Sequence, residues 1–167
     1  MTKVKVFHSA LQDTATLGEV KAELREHWKT DGIVCAACTQ LVNLYPRPIH
    51  STMVYLLVRL FLLDRARPDF YHVKDIYDHR AGNGSNDFAK FKMWEMIEQK
   101  PKVKGQKGRT SGFWRITEKG KAFVRGEITI PLHALVFNKK CYGFSGQTVS
   151  IQEALGIKFD YDQLMKG

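Results

Sequence analysis

Apolar residues recur at helical spacing in two long parts of the chain. The first follows the capping box Thr16-Leu-Gly-Glu19 and predicts an amphipathic helix through Leu17, Val20, Leu24 and Trp28. The second begins at Ser51, a favourable N-cap residue, and is apolar on nearly every side from Met53 to Leu63. A helix without a polar face is typical of a buried position, so we expect this one at the centre of the core.

Shorter patterns follow this central helix. A short helix is indicated over residues 73–77, and a polar turn over 81–86 leads into a further helix over 85–94. Two strands are predicted next, at Met96-Ile97 and over 112–116. Between them lies a basic, glycine-containing loop, and after them Thr117 is a favourable N-cap for another helix.

The ends of the chain predict smaller elements. Pro46 and Pro48 are breakers after the first helix, and Asn138-Lys139 turns a hairpin that begins near Ile128. Ser150 opens a second capping box for a short terminal helix. We therefore predict an α+β protein with three parts: an N-terminal helical arm over 1–49, a core domain over 50–126, and a β-hairpin with a short helix over 127–167.

Charge is concentrated in one part of the chain. The 167 residues include 26 Lys and Arg against 17 Asp and Glu, a formal net charge of +9. Residues 80–126 contain twelve of the basic and four of the acidic residues, whereas the segments on both sides are close to neutral. Clustered basic residues gain free energy by displacing counterions from phosphates, so the pattern predicts a polyanionic partner.

Several classes of protein do not match this sequence. The apolar run Met53 to Leu63 is interrupted by Arg59 and is too short to span a bilayer, and the first residues lack a signal-peptide pattern. Three cysteines are too few for a disulfide framework, which favours a reducing, cytoplasmic location. No metalloprotease, nucleophile-elbow or P-loop spacing occurs, so we expect a protein that is not an enzyme.

The order helix, helix, helix, strand, basic loop, strand, helix resembles the winged helix-turn-helix. Residues 96–124 resemble its MarR-type form, in which a strand leaves the recognition helix and the wing returns into a Thr-x-x-Gly helix start, here Thr117 to Gly120. The resemblance implies a winged-helix core at 50–126 between the N-terminal arm and the C-terminal hairpin extension. It also implies DNA binding by the recognition helix and the wing.

The candidate contact residues follow from that arrangement. On the recognition helix, Ser85 and Asn86 are expected at base edges or phosphates, and Lys90 and Lys92 at phosphates. The basic wing and the returning strand add five further candidates: Lys102, Lys104, Lys107, Arg109 and Arg115. Duplex DNA is therefore the expected partner, and an acidic host protein bound by the same basic face is the alternative. A homodimer that reads two half-sites is a third hypothesis.

A second resemblance extends from Cys35 to Tyr161. It includes Cys35-x-x-Cys38, the stretch Arg109 to Gly120, Gly143-Phe-Ser-Gly146 and Ile151-Gln-Glu-Ala-Leu-Gly156. These segments resemble a group of small bacteriophage and prophage proteins, which implies action in the host cytoplasm on replication, gene control or host takeover. The chain departs from that group at two positions, with Ala36 in place of proline and Thr39 in place of glycine.

The pair Cys35 and Cys38 has a spacing at which two thiolates bind one tetrahedral metal ion. No second pair of this kind is present, and Ala36 and Thr39 are expected to weaken the tight turn of a zinc site. A redox role needs a βαβ context that the sequence lacks. We therefore favour two structural thiols and expect no cofactor, with zinc at Cys35 and Cys38 as the alternative.

Overall fold

Helices and strands alternate along the chain in the computed structural model, which confirms the predicted α+β class. The structure describes residues 6–12, 14–79, 85–102 and 110–166, without the side chains of Ser85 and Asn86. The chain divides into two compact units. The first contains Met1–Arg47 and Ala134–Phe144, and the second contains Pro48–His133 and Ser145–Gly167. No helix within the described ranges is long and apolar enough to cross a membrane.

The first unit combines one helix with a small sheet. Helix α1 (Leu17–His27) begins at the predicted capping box, where the Thr16 hydroxyl accepts from the Glu19 N–H at 3.3 Å. The Glu19 carboxylate accepts from the Thr16 N–H at 2.7 Å and from the Thr16 hydroxyl at 2.8 Å, and these two bonds lower the pKa of Glu19. Strands β1 (Phe7–His8), β2 (Ile33–Val34) and β3 (Leu41–Val42) form a sheet in that order. The N-terminal arm predicted over 1–49 therefore combines its helix with short strands.

The second unit is organised around helix α2 (Ser51–Ala66). Its largely apolar surface is buried, with Met53, Leu57 and Leu60 fully inaccessible to solvent. The N-cap is His50 and not Ser51, because the His50 backbone is extended whereas Ser51 already has helical geometry. The prediction of a central core helix is confirmed.

The C-terminal segment packs onto this helix. It contains α6 (Ile151–Leu155), a 3₁₀ turn (Gly156–Lys158) and α7 (Tyr161–Lys166). The Tyr55 ring stacks on Phe159 with 4.5 Å between centroids, and the Lys158 ammonium donates to the Thr52 hydroxyl at 3.4 Å. The predicted capping box at Ser150 is present. The last part of the chain therefore completes the surroundings of α2.

A three-stranded antiparallel sheet lies beside these helices. Its strands are β5 (Tyr71–His72), β6 (Ile97–Gln99) and β7 (Phe113–Ile116), in the order β5-β7-β6. Helix α3 (Val73–Ile76) follows β5, and helix α5 (Glu118–Val124) follows β7. Strand β7 and both helices match the sequence prediction, and β6 overlaps the strand predicted at Met96-Ile97 only at Ile97. Strand β5 is too short to show a pattern in the sequence.

The predicted helix over 85–94 differs in form. Only Ser85–Phe88 is α-helical (α4), and Ala89–Trp94 continues as a 3₁₀ helix until Glu95 adopts a left-handed conformation with φ 61°. Phe88, Phe91 and Trp94 are all buried. Their spacing of three residues places them on one side of a 3₁₀ helix, which has three residues per turn. Burial of these three rings therefore explains the tighter helix.

A third sheet has the order β4-β8-β9, with β4 (Tyr45–Pro48), β8 (Ile130–Phe137) and β9 (Lys140–Val149). The hairpin and the following short helix were predicted correctly. Pro46 and Pro48 were predicted as breakers, yet both belong to β4. Proline has no backbone N–H to donate to a neighbouring strand. Because β4 lies at the edge of the sheet, its two prolines are tolerated there.

Candidate nucleic-acid interface

The hairpin formed by β6 and β7 has one face in the core. Ile97 pairs with Ile116 across the two strands, and Trp114 is also buried, at 7% exposure. Phe113 points to the other face and is half-buried, with the His72 ring against its edge. One of the two adjacent aromatic residues therefore packs in the core, as the sequence predicted.

The Thr-x-x-Gly segment fixes helix α5 to this base. The Thr117 hydroxyl donates to the Glu95 carbonyl at 2.7 Å and accepts from the Gly120 N–H at 3.1 Å. A Cβ atom at Gly120 would lie 2.3 Å from the Met96 carbonyl oxygen, a distance that no real side chain tolerates. Glycine is required here because the helix backbone lies directly against the strand.

Three lysines surround an open concavity at the base of the wing. Its volume is about 560 Å³, and it is lined by Lys92, Gln99, Lys100, Pro101, Lys102, Thr110 and Ser111. Lys92 and Lys102 are exposed, and the Lys100 ammonium lies 5.5 Å from the centre of the Phe113 ring. Within the described part of the chain none of the three makes an ion pair. The concavity combines positive charge with hydroxyl and amide groups. Phosphate oxygens accept hydrogen bonds from groups of these kinds.

The cations that follow the wing are arranged differently. Lys121 lies 2.9 Å from the carboxylate of Asp64, which is only 4% exposed, and 3.1 Å from Glu118. The hydrogen bond to Asp64 is the main reason that the pKa of Lys121 is raised. Lys119 pairs with Glu95 at 3.2 Å, and Arg125 pairs with Glu127, which raises the pKa of Arg125. All three cations are already neutralised by carboxylates.

Arg115 occupies an intermediate position. Its Nε atom donates to Glu98 at 2.8 Å, and its guanidinium lies 4.7 Å from the centre of the Phe70 ring. Both charged side chains are about half exposed. Arg115 is therefore held by a carboxylate and an aromatic ring on the outer face of the sheet, and its contact with phosphate stays a prediction.

The candidates on the predicted recognition helix are placed unevenly. Lys92 lines the concavity, but Lys90 forms an ion pair with Asp87. The hydrogen bond from Lys90 is the main reason that the pKa of Asp87 is lowered, and His50 contributes a second bond at 3.1 Å. The side chains of Ser85 and Asn86 lie outside the described residues.

Of the wing candidates, Lys102 is described, whereas Lys104, Lys107 and Arg109 lie outside the described residues. Lys100 belongs to the concavity although it was not among the candidate contacts. Its signal was present in the sequence, because Lys100 opens the run of basic residues that forms the predicted wing. Thr110 and Ser111 have no comparable signal, since small hydroxyl residues are common in every loop.

The cysteine pair lies in the first unit, in the turn between β2 and β3. Cys35 is buried and Cys38 is exposed. The backbone N–H groups of Cys38 and Ala37 donate to the Cys35 sulfur and lower the pKa of its thiol. The chain turns here with Thr39 in the left-handed region at φ 59°, a conformation that is unfavourable for a β-branched residue. The weakening of a zinc-site turn by Ala36 and Thr39 stays a prediction.

The described surface thus brings together Lys92, Lys100 and Lys102 from the end of one helix and the start of the wing. It separates them from the neutralised cations of α5. Comparisons with protein families, with curated proteins and with solved structures find no match for this chain.

Proposed function

We propose that this protein binds nucleic acid, with duplex DNA as the preferred ligand, through a winged-helix core. The ligand lies over the concavity at the wing base, and the protein controls transcription or replication without catalysing a reaction. The resemblance of Cys35 to Tyr161 to phage and prophage proteins supports a phage origin and action in the cytoplasm of a bacterial host.

The order of elements supports the winged-helix part of the proposal. Helix α2, strand β5, helix α3, the helical segment 85–94, strands β6 and β7, and helix α5 follow one another as in a winged helix-turn-helix. The sheet order β5-β7-β6 places the first strand beside the last. The short 3₁₀ continuation of the helix limits how far it can enter a groove, which gives the wing a larger share of the contact.

The observation that carries the proposal is a set of three lysines that form no ion pair with any carboxylate in the described ranges. Lys92, Lys100 and Lys102 line one concavity, and Thr110 and Ser111 add hydroxyl groups to it. Among the described residues that line it, none is acidic. A surface of this composition attracts phosphates, and each phosphate contact contributes about one unit to the slope of log K against log salt concentration.

The test compares two triple variants with the same net charge. In the first, Lys92, Lys100 and Lys102 are changed to Gln; in the second, the exposed Lys21, Lys140 and Lys166 are changed to Gln. We expect the first to weaken binding to a duplex of random sequence about tenfold at low salt and to reduce the salt slope by roughly three. The second should change affinity less than threefold, because its lysines lie outside the concavity.

Fluorescence anisotropy of labelled duplex and single-stranded DNA, titrated with salt, measures both quantities. If both variants lost the same affinity, the effect would come from net charge alone. That result would contradict a binding site at the wing base. If the protein bound single-stranded DNA more tightly than duplex DNA, the single strand would be the preferred ligand. No binding to either DNA, together with capture of one host protein after nuclease treatment, would favour the acidic-protein alternative.

A further inference from the structure

A groove in the first unit lies between helix α1 and the ends of strands β3 and β8. Its volume is about 290 Å³, and it is lined by Lys21, Leu24, Arg25, Trp28, Val42 and Phe137. The uncharged part of the lining is apolar and includes the rings of Trp28 and Phe137, whose centroids lie 4.8 Å apart. Pockets for small molecules usually measure roughly 300–1,000 Å³. A groove of this size and composition therefore suits an apolar side chain of a larger partner.

Two exposed cations form the rest of the lining. Lys21 and Arg25 are four residues apart, so they lie on the same side of α1. Lys29 follows at the same spacing, just beyond the helix, and its ammonium lies 5.4 Å from the centre of the Trp28 ring. None of these three cations forms an ion pair within the described ranges. They repel one another, and their charge is available to a ligand.

Two acidic residues of α1 have other partners. Glu19 accepts from the Thr16 N–H at 2.7 Å in the capping box. Glu23 accepts from the Ser9 hydroxyl at 2.6 Å. Both stand two positions from Lys21, and residues two apart in a helix do not face each other. Because none of the described residues that line the groove is acidic, α1 presents positive charge beside it and these carboxylates elsewhere.

An apolar groove bordered by cations is complementary to an apolar side chain flanked by carboxylates. We propose that this groove docks an acidic segment of a partner protein. One large apolar side chain of that segment fills the groove, and its Asp or Glu residues pair with Lys21 and Arg25. The inference goes beyond DNA binding, because the groove shares no lining residue with the concavity at the wing base.

Two other occupants match the groove less well. A second copy of the chain carries the same net charge of +9, so the two copies repel each other. A nucleic-acid base needs an open aromatic face for stacking, whereas the Lys29 ammonium lies over the Trp28 ring. An acidic protein segment meets neither obstacle.

The experiment selects random-sequence peptides displayed on phage for binding to the full chain. The same selection is run on the groove variant Lys21→Glu, Arg25→Glu and on the matched control Lys74→Glu, Lys166→Glu, which reverses two exposed lysines of the second unit. We expect the natural chain and the control to enrich peptides in which Asp or Glu flank a large apolar residue, and the groove variant to lose them. Enrichment of basic peptides, or the absence of any peptide that distinguishes the two double variants, would overturn the proposal.

Fluorescence anisotropy of the best peptide then gives its affinity. We expect binding to the groove variant to be about tenfold weaker at low salt, and binding to the control to stay within about twofold. Leu24→Gln, which makes the lining polar without changing the net charge, should weaken binding about fivefold. Circular dichroism checks that each variant is folded. Equal losses in the two double variants would attribute the binding to net charge and overturn the site.

Trp28 reports the position of the bound peptide. It is half-buried, whereas Trp94 and Trp114 are only 1% and 7% exposed. Binding should shift the tryptophan emission of the natural chain to shorter wavelength, and Trp28→Phe should abolish that shift while affinity stays within about threefold. A shift that persists in Trp28→Phe would place the peptide elsewhere and overturn the site. Displacement of the peptide by single-stranded DNA, or a dimer of the natural chain that the groove variant dissociates, would assign the groove to those occupants instead.

Discussion

Helix α5 with its C-cap residue Arg125, and the base of the wing, each contribute three cations to the same basic segment, but the surroundings of the two sets differ. Lys119, Lys121 and Arg125 each contact a carboxylate, whereas the lysines of the concavity contact none among the described residues. The charge available to a ligand is therefore smaller than the formal charge of the segment, and it lies in one place. A cation that is paired with a carboxylate and a cation that lacks such a pair count equally in the composition of a sequence.

The largest expected effect is on the stability of the fold and comes from Gly120, where helix α5 contacts the backbone at the start of the hairpin. Gly120→Ala places a methyl group 2.3 Å from the Met96 carbonyl oxygen, so α5 must move away from β6. We expect the free energy of unfolding to fall by about 3 kcal/mol, measured by urea denaturation. Gly18→Ala in α1 is the control, because its nearest contact is 3.7 Å away and alanine favours helix by up to about 1 kcal/mol. Equal stability of both variants would contradict the close approach.

The second effect separates a structural cation from an exposed one. Lys121→Met leaves the carboxylate of Asp64 buried without its cation and should cost about 2 kcal/mol of unfolding free energy. Lys119→Met removes an exposed pair with Glu95, whose side chain is 80% accessible, and should cost less than about 0.5 kcal/mol. Neither should change DNA affinity more than about twofold. If either variant lost as much DNA affinity as the triple variant at the wing base, the proposed difference between the two sets of cations would be wrong.

The smallest effect concerns Lys90, which is paired with a carboxylate but belongs to the predicted recognition helix. Asp87→Asn removes its carboxylate partner and one negative charge beside the proposed interface. We expect DNA binding at neutral pH to become about twofold to threefold tighter, measured by anisotropy at low salt. Unchanged or weaker binding would exclude Lys90 from the contact.

The same variant has a pH signature. The pKa of Asp87 is lowered in the folded protein by Lys90 and His50, so the carboxylate contributes stability above its unfolded pKa of about 4. That contribution is lost as the pH falls through the lowered folded pKa. The natural chain should therefore be slightly more stable than Asp87→Asn at pH 6, and the two should converge in strong acid. Parallel urea titrations at both pH values measure the difference.

Local signals in the sequence predicted much of this fold. The capping residues Thr16, Thr117 and Ser150 begin helices because their side chains act on N–H groups three residues away. The apolar surface of α2 predicted its burial for a similar reason. Interactions between residues that are close in the sequence can be predicted from it, because both partners lie within the same short segment.

Pairing between distant residues was not predictable in the same way. The partner of Lys121 is Asp64 on another helix, and the partner of Arg115 is Glu98 on the adjacent strand. Strand β4 was missed because its two prolines usually interrupt strands, and only its position at a sheet edge makes them harmless. The location of the basic surface was readable from the sequence, but the lysines that remain available on it required the three-dimensional arrangement.

The packing of the C-terminal segment on α2 also bears on how the protein is made. Lys158 and Thr52, which are hydrogen-bonded, lie 106 residues apart, and the ring that covers Tyr55 belongs to Phe159. During synthesis the most apolar helix of the chain is therefore complete long before the residues that shield it exist. Contacts of such long sequence separation form slowly, and apolar surface exposed in the meantime favours aggregation. Part of the apolar surface of α2 therefore stays uncovered until residues 67–159 have been synthesised, and the speed of translation over that stretch sets the length of this aggregation-prone interval.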